Sequence, residues 1–187
     1  MMSESQEGLT DQQLVEALNS GDLTAFEAIY FRYRDWVMRL AFRLTGNHDD
    51  ALDVLQETFT YLAGKFPGFV LTAAMTTFLY PAVRNLAIAA NRKRRRSSGG
   101  DEVLEFFESP TSAPTSPADD IEPILTSLSS DHREILLMRF VDDLTQPEIA
   151  AALNIPLGTV KSRLHHAIQT LKSSPAGQRL LGRSDSG

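Results

Sequence analysis

The sequence predicts an all-α protein of two small helical domains joined by a flexible acidic linker, the C-terminal one a helix-turn-helix. Three observations carry this expectation. Apolar residues recur at spacings of three and four along most of the chain, as on amphipathic helices. Residues 144–172, LTQPEIAAALNIPLGTVKSRLHHAIQTLK, divide into a short helix, a tight turn and a longer helix. Five consecutive cations, Arg92, Lys93, Arg94, Arg95 and Arg96, give way to residues 97–120, which carry six acids and no base.

In chain order, Thr10 with Gln13 forms a capping-box pattern, in which two side chains satisfy backbone N–H groups at a helix start. The helix it opens runs through Leu14, Val15 and Leu18 and ends at Asn19 to Gly21. Asp22 is placed to cap the next. There, Phe26, Ile29, Tyr30, Tyr33, Trp36, Val37, Leu40, Ala41 and Leu44 hold helical spacing until Gly46 stops it. Trp36 and the tyrosines fall on the inward stripe, so they are read as core and not as a stacking platform.

Asp49 and Asp50 lead a third helix, where acids offset the positive helix end. Ala51, Val54, Leu55, Thr58, Phe59 and Leu62 form its expected buried side, leaving Asp53, Gln56, Glu57 and Thr60 outside. Gly64 to Gly68 breaks the pattern, and Phe69 to Thr76 is an apolar stretch of ambiguous structure. A fourth run places Leu79, Ala82, Val83, Leu86, Ala87 and Ala90 inward and ends in the basic cluster. Pro81 requires that this helix either begin just before it or bend there, because an interior proline removes a hydrogen bond.

Residues 97–120, SSGGDEVLEFFESPTSAPTSPADD, are too rich in Ser, Gly, Pro and acid to bury a core of their own. Their Val103, Leu104, Phe106 and Phe107 form an apolar island that either docks on a partner or touches its own domains. Beyond the linker, Pro147 follows Thr145 and Gln146 where a missing N–H costs little, which starts a helix near Thr145 with Ile149, Ala150 and Leu153 on its apolar face. Asn154, Ile155 and Pro156 break it, since the residue before a proline is pushed out of the helical region. From Gly158, Val160, Leu164, Ala167, Ile168 and Leu171 make one apolar stripe. The remaining face holds Thr159, Lys161, Ser162, Arg163, His165, His166 and Gln169, with no carboxylate. A major groove admits one such helix: Thr159, Ser162 and Arg163 are the expected base readers, with Lys161 and His166 nearer phosphates. The bland alternative is a helical hairpin with a solvated polar face.

A chain of 187 residues with 42% hydrophobic content accommodates two small domains. Without cysteine it has neither a disulfide framework nor a thiolate metal site. No segment approaches ~20 consecutive apolar residues, and MMSESQEGLT lacks a signal pattern, so a soluble, cytoplasmic protein without membrane insertion is expected. The net charge of −6 is unusual for a protein that binds DNA unaided, because Lys and Arg supply most non-specific affinity. A partner that brings the chain to DNA is therefore expected.

Three stretches carry a family resemblance: DDALDVLQETF at 49–59, FLYPAVRNLAIAANRKRRR at 78–96 and DHREILLMRFVDDLTQPEIAAALNIPLGTVKSRLHHA at 131–167. Together, and in this order, they resemble the bacterial extracytoplasmic-function (ECF) sigma factors of RNA polymerase. The resemblance implies a promoter-melting region 2 domain over residues 1–96, a flexible acidic linker over 97–120 and a region 4 helix-turn-helix domain over 121–187. It implies a function in binding and not in catalysis, with no cofactor: directing core RNA polymerase to promoters and helping to open them. Asp53, Gln56 and Glu57 occupy the family's docking positions for the beta-prime coiled coil, and the beta flap is the other implied polymerase contact. The loop after Lys65, with Arg84, Asn85, Arg92, Lys93 and Arg94, would receive the minus-ten strand. Thr159, Lys161, Ser162, Arg163, His165 and His166 would hold the minus-thirty-five duplex, with Arg139 on its backbone. The resemblance also implies control by an anti-sigma protein in trans. Phe78 stands where tryptophan is usual, Ala89 where aspartate is usual, and the loop between Phe66 and Phe78 is longer than typical.

Rival readings explain less. A dimeric regulator acting without polymerase accounts for the helix-turn-helix but not for the motifs at 49–59 and 78–96 or the acidic total charge. For an enzyme, the four histidines lack ligand spacing and no phosphate loop or nucleophile motif is present. His48, Asp49 and Asp50 form either a metal site or a helix cap. A helical adaptor that binds only protein remains the third alternative.

Overall fold

The computed structural model describes residues 8–97, 125 and 128–174, which form seven α-helices and no strand. The chain divides into two units, Met1–Leu104 and Glu105–Gly187. The expected linker, its apolar island and the tail after Ser174 lie outside the described residues, apart from Ser97.

The first unit contains α1 (Asp11–Asn19), α2 (Thr24–Thr45), α3 (His48–Ala63) and α4 (Met75–Ser97). The capping box at Thr10 and Gln13 forms as read, with the Thr10 N–H donating to Gln13 Oε1 at 2.8 Å. The N-cap of α2 is Leu23, one residue after the expected Asp22, whose side chain still accepts from the Thr24 N–H at 3.0 Å. Gly46, at φ 65°, supplies the left-handed residue that ends α2. Asn47, not Asp49 or Asp50, caps α3: its side chain accepts from the Asp50 N–H at 3.0 Å. His48 is thereby the first helical residue.

α2, α3 and α4 pack against one another, and α1 lies on α2. The buried face of α3 is Ala51, Val54, Leu55, Thr58, Phe59 and Leu62, residue for residue the stripe expected from spacing. Phe59 meets the α2 aromatics edge to face, with ring centroids 4.8 Å from Tyr30 and 6.3 Å from Phe26. Tyr33 donates to Asp11, which also pairs with Arg32 at 2.6 Å and so ties α1 to α2. Burial pushes the Tyr33 hydroxyl above its ordinary value, and the Asp11 carboxylate adds to the rise. Trp36, Tyr30 and Tyr33, expected in the core, are only partly buried and edge the set of Ile29, Val37, Leu40 and Ala41 that α2 buries fully.

The largest departure from expectation is at α4. It begins at Met75, so Pro81 lies well inside it and the ambiguous stretch after Phe69 contributes its first turn. Met75, Thr77, Leu79, Tyr80, Val83 and Ala87 are buried along this helix, and that packing outweighs the hydrogen bond Pro81 cannot donate to the Thr77 carbonyl. Ala82, Leu86 and Ala90, expected inside, are only partly covered. Ser97, the first residue assigned to the linker, is the last of α4.

The second unit contains α5 (Ser130–Phe140), α6 (Gln146–Leu153) and α7 (Leu157–Ser173). α7 packs against both α5 and α6. Leu128, Leu136 and Ala167 form a buried cluster edged by Leu125 and Leu171. Thr145 opens α6 through a capping box whose second member is Glu148: the Thr145 N–H and hydroxyl each donate to Glu148 Oε2 at 2.7 Å. Asn154, left-handed at φ 52°, ends α6, and the Ile155 N–H returns to the Ala150 carbonyl at 3.0 Å. Pro156 precedes α7, which starts at Leu157, one residue before the expected start.

The cap at Thr145 sets where the helix-turn-helix begins. Thr145→Ala should lower the stability of the second unit by about 1 kcal/mol, while Thr145→Ser should leave it nearly unchanged. Trp36 belongs to the first unit, so the check is urea unfolding of the full chain followed through the amide NMR signals of residues 146–173. An unshifted midpoint for Thr145→Ala would contradict the assignment.

Candidate nucleic-acid interface

In the first unit the loop between α3 and α4 brings four aromatic rings into a chain. Phe66 lies 5.5 Å from Phe69, Phe69 lies 4.7 Å from Phe78, and Phe78 stacks on Tyr61 at 5.9 Å with the planes 16° apart. Lys65 Nζ stands 4.4 Å from the centre of the Tyr61 ring. Beside them is a cleft of about 460 Å³ lined by Tyr61, Thr77, Phe78, Pro81, Ala82, Asn85 and Leu86. The Thr77 hydroxyl is buried there with no hydrogen-bond partner among the described residues. Aromatic faces, a cation and polar groups at a cleft suit unstacked bases, because every base offers a π-face and a polar edge.

The expected minus-ten set divides on inspection. Asn85 is exposed and lines this cleft, and Arg84 is adjacent and partly buried. Arg92 and Lys93 are exposed farther along α4. Arg94 instead fastens the fold: it pairs with Asp50 at 2.9 Å and donates to the Thr45 carbonyl at 3.1 Å and to Asn91 Oδ1 at 3.3 Å. These contacts join α4 to the end of α2 and the start of α3, although the Arg94 side chain stays 44% exposed. The aromatic chain escaped sequence reading, although Phe66, Phe69 and Phe78 are all visible; only the closed loop shows that their rings meet.

Asp53, Gln56 and Glu57 are exposed on α3. Asp53 and Glu57 line a second cleft of about 330 Å³ with Asp50, Lys93, Arg94 and Ala89. Ala89, which stands where the family usually has aspartate, lines this mixed-charge cleft and not the aromatic one. A substitution here bears on the acidic ridge of α3.

In the second unit α7 buries Val160, Leu164 and Ala167. Lys161, Ser162, His165 and His166 are exposed, and Thr159 is partly covered. Arg163 is held by Asp131 of α5 at 2.7 Å, so a carboxylate does reach the face that α7 alone leaves free of acid. The His166 ring stands 6.2 Å from His132 and 5.7 Å from His165. Arg139, at the end of α5, lies over the ring of its exposed neighbour Phe140 at 5.8 Å. Among the described residues no group of three or more His, Cys, Asp or Glu is placed to hold a metal ion. No described helix is long and apolar enough to cross a membrane.

Comparison with known proteins agrees with this division. The family model described as Sigma-70 region 2 matches residues 29–97, and that described as Sigma-70, region 4 matches residues 124–173. The ECF RNA polymerase sigma-E factor of Escherichia coli (strain K12) is 33% identical over 180 residues, covering 88% of this chain and 94% of the relative. The ECF RNA polymerase sigma factor SigW of Bacillus subtilis (strain 168) is 28% identical over 173 residues, covering 84% and 92%. Among solved structures, the sigma factor RpoE in complex with the anti-sigma factor NepR from Bartonella quintana matches with a TM-score of 0.60 at 25% identity, covering 79% of this chain and 94% of that one. With both sigma regions matched in order and a relative at this identity across most of its length, the chain belongs to the ECF sigma factors, non-enzymatic subunits that direct RNA polymerase to promoters in transcription initiation.

Proposed function

We propose that the two units divide promoter recognition between single-stranded and duplex DNA while α3 holds the polymerase. In this reading residues 1–96 dock on the beta-prime coiled coil through Asp53, Gln56 and Glu57 and take the unstacked minus-ten strand. Residues 97–120 link the units, and residues 121–187 hold the minus-thirty-five duplex near the beta flap. The protein acts in the cytoplasm, and an anti-sigma protein controls it; the relative solved with NepR supports that expectation.

The observation that carries the reading is that each unit presents a surface matched to a different form of DNA. The Phe66–Phe69–Phe78–Tyr61 chain with Lys65 and Asn85 offers stacking, a cation and a polar edge, as unpaired bases require. The exposed ridge of α7 offers donors and cations on a helix narrow enough for a major groove. On α3, an acidic and amide ridge on a rigid, half-buried helix suits charge-assisted bonds to a basic partner. Arg94 is proposed as a brace for that surface more than as a direct strand contact.

Two measurements test this division. Asp53→Ala with Gln56→Ala should weaken binding to core polymerase about tenfold, ~1.4 kcal/mol, with the helical content unchanged. Wild-type affinity would place the docking face elsewhere. Arg163→Ala should weaken minus-thirty-five recognition by about 1 to 3 kcal/mol in a binding assay across duplex variants. If stability falls but the duplex preference is unchanged, Arg163 serves as a brace to Asp131 and not as a base reader.

A further inference from the structure

The loop that carries Phe66 and Phe69 is held by a residue far from it in sequence. Asn19, the last residue of α1, accepts with its amide oxygen from the Gly68 N–H at 2.7 Å and the Phe69 N–H at 3.1 Å. Its amide nitrogen donates to the Phe69 carbonyl at 2.8 Å. One side chain therefore satisfies both backbone polar groups of Phe69, and an amide is the side chain that offers an acceptor and a donor in the same plane. Gly68 makes this possible. At φ 98° it occupies a conformation that glycine adopts freely and other residues rarely do, and it turns two successive N–H groups toward one oxygen.

Fixing the Phe69 backbone fixes its ring, which is the middle member of the chain: 5.5 Å from Phe66 on one side and 4.7 Å from Phe78 on the other. A looser Phe69 would leave Phe78 stacked on Tyr61 but remove the wall that joins Phe66 to it. We infer that Asn19 is a positioning residue for base selectivity at the minus-ten element, acting through Phe69 and without touching DNA. This rests on the proposed reading that the aromatic surface takes the unstacked strand. It assigns to α1 a part in promoter choice that neither its sequence nor its distance along the chain suggests.

The test uses the full chain assembled with core RNA polymerase and a promoter library varied separately at the minus-ten and minus-thirty-five elements. Asn19→Ala removes all three bonds. It should flatten discrimination at the minus-ten bases by about tenfold while leaving core affinity and minus-thirty-five preference as in the wild type. Asn19→Asp keeps the oxygen that accepts from Gly68 and Phe69 and loses only the donor, so it should restore part of that discrimination. It also carries the test should Asn19→Ala fold poorly. Phe78→Ala is run beside them to separate the two claims. If Phe78→Ala changes the minus-ten preference and both Asn19 variants keep the wild-type profile, the role of Asn19 is overturned and the aromatic surface stands. If none of the three variants changes it, the reading of the surface fails and the inference with it. A loss of Asn19→Ala discrimination equal at both elements would mark Asn19 as merely structural and also overturn the proposal.

Discussion

The burial of one face of α3 is the constraint on which the first unit depends. Ala51, Val54, Leu55, Thr58, Phe59 and Leu62 are buried against α2 and α4, and a helix has no freedom to turn once such a face is buried. Asp53, Gln56 and Glu57 are therefore held outward on a rigid rod. The same packing sets the end of α3, where Tyr61 and Lys65 stand, and gives α4 a surface against which Met75, Leu79 and Tyr80 are buried despite Pro81. The exposed ridge of α3 and the aromatic surface are two consequences of one buried stripe.

A net charge of −6 asks how such a chain engages DNA. The arrangement of charge answers in part. Arg94 and Arg163 pair with Asp50 and Asp131, while Arg92, Lys93, Lys161, His165 and His166 are exposed. The excess of acids over bases in the whole chain opposes indiscriminate phosphate binding, which depends on net cationic charge. Weak unaided DNA binding is the physical expectation, and it suits a subunit whose selectivity is meant to appear only on the polymerase. In the proposed reading the aromatic surface would add affinity that phosphates do not supply, and only where strands are already separated.

Local pattern was the legible part of this protein. The inward stripe of α3, the box at Thr10 and Gln13, the stop at Gly46 and the turn around Asn154 to Pro156 all depend on residues within a few positions of one another. The box at Thr145 and Glu148 has the same local spacing. The remainder depended on distance along the chain. Asp131 reaches Arg163, Asp50 reaches Arg94, and Asn19 reaches Phe69 only after the helices have packed. α4 shows a different limit: proline spoke locally against a helix that burial imposed. Its buried residues before Pro81 were obscured because they continue an apolar loop.

The central claim is that this chain selects promoters only together with polymerase. Its most direct test is transcription from a genomic promoter library by purified core RNA polymerase, with and without the protein. The account predicts new start sites that appear only when both are present and that share two upstream elements at a fixed separation. No association with the polymerase and no new start sites, with sequence-selective duplex binding retained by the protein alone, would contradict it.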